Sequence, residues 1–147
     1  MFKQSLAASV LAAALAGVHP SSLAASPAHT VAAFHNALAS GDRAAALALL
    51  SPTVAIYEAG HVERSRDEYA REHLGGDIAF AQSSTRKVLK QNERIDGNTA
   101  IVWEETETTG TSRGKPVHAF GTGTMVLEKQ GDGWAIVHVH WSSRKAK

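Results

Sequence analysis

The sequence predicts an α+β domain in which three N-terminal helices pack on a curved antiparallel sheet. Two observations predict it. Apolar residues recur at helical spacing between Pro27 and about His73, whereas everything after Ser83 is a series of long β-prone runs cut by turn dipeptides. Helices gathered ahead of an antiparallel meander belong to this class, because such a sheet needs one face covered.

In PAHTVAAFHNALASGDRAAALALL, Val31, Phe34 and Leu38 fall on one helix face. Ser40-Gly41 stops that helix, and Asp42 caps a second running from Arg43 to Leu50. Ser51-Pro52 breaks it. TVAIYEAGHVERS then alternates like a strand and a short return strand, with Ala59-Gly60 as the turn. Ser65-Arg66-Asp67-Glu68 is a capping box that opens a third helix, expected from Arg66 to about His73 and ending near Gly75-Gly76. Asp96-Gly97, Arg113-Gly114-Lys115-Pro116 and Gly131-Asp132-Gly133 divide the remainder into four antiparallel strands. Gly121-x-Gly123 inside one of them points to a bulge or sharp curvature, not to a phosphate loop, since no helix follows.

The first 25 residues, MFKQSLAASVLAAALAGVHPSSLAA, have the layout of a secretory signal peptide: one Lys, an apolar run, then small residues. Periplasmic or secreted localisation follows as an expectation, with residues 26–147 as the mature domain. The apolar run falls short of the roughly 18 residues a spanning helix needs, so no membrane association is expected once the leader is removed. Lys3 is the leader's one charged residue, which leaves 14 basic and 14 acidic side chains in the remainder. A neutral chain with no basic stripe argues against nucleic acid. Cysteine is absent, which excludes disulfides, thiolate metal sites and cysteine nucleophiles.

The order of helix, helix, strand pair, helix and four strands resembles the cone-shaped nuclear transport factor 2-like superfamily, in its SnoaL-like and ketosteroid-isomerase-like branch. VAAFHNALASGDRAAALALLSPTVAIYEAGHVERS and the closing GDGWAIVHVHWSSR carry the likeness, which covers essentially the whole mature chain. It implies a conical pocket between sheet and helices that holds a small-molecule ligand, with Val54 to Glu58 lying beside the last strand. It also implies a base at Glu58, the carboxylate following the first strand. The isomerase pattern is otherwise broken: Phe34 and His35 stand where its tyrosine would, and Gly121-Thr122-Gly123 where its protonated Asp would. Steroid isomerisation itself is therefore not expected.

HVHWSSR poses the chemical question, because His138 and His140 at i and i+2 share one strand face. Alternation places Trp134, Ile136, His138 and His140 on one side and Ala135, Val137, Val139 and Trp141 on the other, without saying which side is inward. With His61, Glu58, Glu63 or His73 as third ligand, the pair suits copper or zinc. With Glu58 as base and a histidine as acid, the same residues suit a metal-free isomerase, lyase or cyclase. The leading reading is an exported domain that holds a small ligand in the cone, with the metal protein and the metal-free enzyme as its alternatives. Tyr57, Phe34, Trp103, His118 and Phe120 are the expected ligand-contacting side chains, although Tyr57 and Glu58 point to opposite strand faces, so at most one belongs to the pocket. Glu104, Glu105 and Glu107 read as a solvated strand face, and His73 as a charge near the third helix's C-terminal carbonyls. Sheets of this kind also pack face to face, which makes a homodimer the expected assembly.

Overall fold

The computed structural model describes residues 25–147, so the leader-like segment lies outside the described residues. Helices α1 (Pro27–Ser40) and α2 (Arg43–Ala48) are followed by strands β1 (Leu50–Glu58) and β2 (His61–Glu63), helices α3 (Arg66–Glu72) and α4 (Leu74–Gln82), and strands β3 (Ser84–Asp96), β4 (Thr99–Ser112), β5 (Lys115–Gln130) and β6 (Gly133–Lys145). One six-stranded sheet results, in the order β2-β1-β6-β5-β4-β3. Every neighbouring pair is antiparallel except β1 with β6. This is the expected α+β cone, with helices covering one face of a mostly antiparallel sheet.

Local chemistry explains most boundaries. Gly41 ends α1 with φ 76° and Asp42 accepts from Ala45 N, which stops one helix and starts the next. Ala59 and Gly60 both take positive φ, the requirement of a tight two-residue hairpin turn. Ser65 Oγ accepts from Glu68 N at 3.1 Å, while Glu68 reaches back to Arg64 N at 2.7 Å.

One helix was not expected. Four helices, not three, are found among the described residues, because the chain runs from His73 straight into α4, with Gly75 and Gly76 in its first turn. Two glycines cost a helix about 1 kcal/mol each relative to Ala. Burial of Leu74 and the packing of Ile78 and Ala81, one helix stripe, against the core outweigh that.

The inner sheet face is set by a single residue. Pairing of β6 with β5 passes from His138↔Val126 to Ile136↔Leu127, so Val137 has no partner and forms a bulge. The expected strict alternation therefore fails: Ile136 and Val139 are both fully buried, Trp141 packs against the core, and His138 and His140 turn to the outer face. Gly121 and Gly123, in contrast, are regularly paired on both sides and form no bulge. They supply space. A Cβ on Gly121 would stand 2.7 Å from Thr106 Oγ1, and one on Gly123 3.1 Å from Trp141 Cδ1.

Phe34 belongs to the core, not to the ligand wall expected of it: it is fully buried and stacks on Trp141 with ring centroids 6.2 Å apart. Phe34→Ala should lower unfolding free energy by about 3–5 kcal/mol, read as a reduced urea midpoint at unchanged m-value.

Candidate functional site

A cavity of about 440 Å³ opens between α1, α4 and the inner sheet face. Leu38, Phe80, Ala81 and Trp141 make its apolar wall, and Thr106, Thr108 and Ser142 add hydroxyls. Its charged groups sit in two places.

The first is an acid–base cluster. Glu58 ends β1, Asp77 lies in the first turn of α4, and both line the cavity. His73, the junction residue between α3 and α4, stands between them: its Nε2 is 3.4 Å from Glu58 Oε2 and 3.4 Å from Asp77 Oδ1. Its Nδ1 donates to Glu63 Oε1 at 2.8 Å. Glu63 is on β2, 7 % exposed, because it pairs in register with inward-facing Ile56. Behind the cluster, the buried Tyr69 donates its hydroxyl to Asp77 Oδ2 at 2.6 Å.

Three carboxyls around one imidazole perturb one another. Burial raises the Glu58 pKa and neighbouring Asp77 adds to the rise, against the pull of His73. Burial raises Asp77 as well, opposed by the Tyr69 hydrogen bond and by His73. For His73 burial disfavours the charge, but Asp77, Glu63 and Glu58 outweigh it and hold the pKa above the ordinary histidine value. Tyr69 is pushed far up by burial and then by Asp77, so its hydroxyl stays a donor. Carboxyls whose proton affinity rises beside other carboxyls, with an imidazole whose own is raised by them, are suited to taking and giving protons.

The second group lies on the opposite wall. Arg86 of β3 and Gln91 both bind the Glu104 carboxylate, Gln91 at 2.7 Å. His35 of α1 lines the cavity with Nε2 3.8 Å from Glu104 Oε2, buried and without a hydrogen-bond partner. Burial, and after it the Arg86 charge, lower its pKa to about 3, so the ring is neutral. Its Nε2 is shielded from solvent and has no hydrogen-bond partner among the described residues.

The SnoaL-like domain family matches residues 28–144 of this sequence. The chain belongs to that family. Among solved structures, the SnoaL-like chain is similar to a ketosteroid-isomerase candidate from Shewanella frigidimarina NCIMB 400, at 38% identity over 77% of this chain and 91% of that one, with TM-score 0.74. A candidate dehydratase of the nuclear transport factor 2-like family from Streptomyces avermitilis matches at 22% identity over 80% and 92%, TM-score 0.69. A candidate association domain of calcium/calmodulin-dependent protein kinase II from Xanthomonas campestris matches at 23% over 87% and 98%, TM-score 0.63. No curated protein matches significantly.

Within this SnoaL-like domain the sequence-derived site divides. Glu58 faces the cavity, but His138 and His140 do not: both pack edge-on against Tyr57 on the outer sheet face, with ring centroids 4.9 and 6.1 Å from it. The parallel register explains this, since Tyr57 pairs with His140 and Glu58 with Trp141. His61 pairs with Glu58 at the exposed hairpin end, on the other face from the two histidines, so the expected three-histidine metal set does not assemble. Trp103 is 40 % exposed on the outer face, His118 donates to Glu107 at 2.8 Å, and Phe120 lies under the Arg144 guanidinium. None of these three lines the cavity that holds Glu58; Phe120 borders a second, more open depression. Glu104, read from the sequence as solvated, is 6 % exposed because it is paired.

Sequence reasoning gave His35 no role in the site and did not join His73 to Asp77. The signal for the last two was their i, i+4 spacing, hidden by taking Gly75-Gly76 as a helix stop. His35 titrates lower in the folded chain than in the unfolded one, so it adds stability above pH 6.5 that is lost as pH falls toward 3. Wild type should lose stability in that window more steeply than His35→Leu, by up to about 1.4 kcal/mol per pH unit. Urea titrations at a series of pH values measure the two slopes; equal slopes would contradict a buried neutral ring.

Proposed function

We propose that the cone binds a small, uncharged, largely apolar organic molecule and moves protons on it, as an isomerase or a dehydratase does. The observation that carries this is the convergence of Glu58, Asp77 and His73 at one end of the cavity. Glu58, as carboxylate, takes a proton from a carbon beside the ligand's carbonyl. The resulting acid returns it to another carbon, completing an isomerisation, or passes it to a hydroxyl that leaves as water. His73 and Asp77 tune that proton affinity. The Thr106 and Thr108 hydroxyls that line the cavity offer donors to the ligand's oxygen. The one guanidinium there, Arg86, is already neutralised by Glu104, which supports an uncharged ligand over an anion.

A panel of small cyclic enones and β-hydroxy ketones, followed by NMR in deuterated buffer, reads this chemistry directly as exchange or elimination at the carbon beside the carbonyl. Glu58→Gln should slow turnover by about 100-fold or more, and the rising limb of the wild-type pH profile should lie above the ordinary carboxylate range. Turnover unchanged in Glu58→Gln would remove this reading.

Two further parts of the proposal concern place and assembly. The leader-like first 25 residues support export. Tyr57, Ile101 and Trp103, each about two-fifths exposed on the outer sheet face, support a homodimer joined through that face. The chain recovered from a periplasmic extract should begin near Ser26 and sediment at twice the mass of one mature chain. Trp103→Glu should halve that mass; a monomeric wild type would exclude the dimer.

A further inference from the structure

The His73 ring holds two unequal sets of contacts. Nδ1 makes a short bond to Glu63, but Nε2 meets Glu58 and Asp77 at 3.4 Å each, beyond the roughly 2.7–2.9 Å of a charge-assisted hydrogen bond. The two separations have another explanation. Ligand atoms about 2.0–2.2 Å from a tetrahedral zinc ion stand about 3.3–3.6 Å from one another. Glu58, His73 and Asp77 each offer one donor atom, and the three atoms lie within 4.8 Å of one another.

The surroundings match those of a built metal site. Glu63 orients the imidazole from its far nitrogen, the arrangement that fixes the tautomer of a metal-binding histidine. Its second oxygen, Oε2, is buried without a hydrogen-bond partner, an orphan that marks an incomplete charge balance beside the ring. Tyr69 occupies Asp77 Oδ2 and leaves Oδ1 for an ion. Among the described residues no lysine or arginine forms a salt bridge to Glu58, Glu63 or Asp77, so three carboxyls face one histidine, with exposed His61 at the rim.

We propose that Glu58 Oε2, His73 Nε2 and Asp77 Oδ1 bind one zinc ion, with the fourth position open to the cavity. One imidazole and two carboxylates in a tetrahedral array favour zinc over calcium, which takes six to eight oxygens, and over magnesium, which keeps an octahedral shell rich in water. The inference shares Glu58 with the proton-transfer reading, since zinc on Oε2 leaves only Oε1 to act as base; zinc binding and proton exchange are therefore measured separately, and either can fail without the other. It also moves the metal question away from His138 and His140, which pack on Tyr57 and belong to no group of three metal-ligating side chains among the described residues.

Isothermal titration of zinc chloride into the chelator-treated, dialysed protein tests it, with calcium and magnesium chloride as comparisons. The expected result is one equivalent of zinc. Glu63→Gln should weaken binding about 10- to 100-fold, and His73→Ala should abolish it, while His140→Ala binds as wild type does. Asp77→Asn, which keeps the side-chain shape, serves if His73→Ala does not fold, and should weaken zinc at least 10-fold. Absence of zinc binding, tighter binding of calcium, or loss of binding in His140→Ala alone would overturn the proposal. Proton exchange persisting in metal-free protein that binds no zinc would sink the metal site and leave the catalyst standing. Stoichiometric zinc without any exchange would do the reverse.

Discussion

The geometry of the cone hangs on one extra residue in its last strand. Because side chains in a strand alternate with period two, inserting Val137 into β6 without a partner in β5 reverses the phase of everything beyond it. Ile136 on one side of the bulge and Val139 and Trp141 on the other then point the same way, into the helices. Without the bulge Ile136 and Trp141 would face opposite sides of the sheet, and either the core or the cavity would lose its wall. The parallel pairing of β1 with β6 transmits the choice: Glu58 follows Trp141 inward and Tyr57 follows His140 outward. One backbone irregularity thereby decides which chemistry the cavity contains.

Much of the fold was legible because its boundaries are written in local chemistry. The Ser40-Gly41-Asp42 stop and cap, the Ala59-Gly60 turn and the Ser65 to Glu68 box each act over four residues or fewer, and each is found where the residues place it. The site was less legible, since its residues meet through tertiary pairing. Glu58 was identified by likeness to a family, whereas its neighbours Glu63 and Asp77 arrive from β2 and α4. The phase of β6 was not readable because a bulge leaves no mark in a run such as AIVHVHW. Gly75-Gly76 misled for a related reason: a pair of glycines ends a helix that has nothing to bury, but Leu74 and Ile78 had a core to reach.

Charge distribution sorts the cavity into unlike halves. On the Glu104 side, positive and negative groups are matched and His35 is held neutral by burial and by Arg86. On the Glu58 side acid groups outnumber their partners, and each raises the proton affinity of the next. Such an imbalance is costly to a fold and is resolved by protons or by a cation. Besides these polar groups, Leu38, Phe80 and Trp141 give the cavity an apolar wall.

The two glycines of β5 give this cavity a particular mechanical character. Where Gly121 and Gly123 border the cavity, the surface is main chain locked into ladders on both sides, with the Trp141 indole laid close above it. A bed of that kind has no rotamers to rearrange and little conformational freedom to surrender when something settles on it. For the ligand proposed above it would act as a fixed gauge, sorting molecules by thickness before any polar group is consulted, and adaptation to a new guest would have to come from the helices.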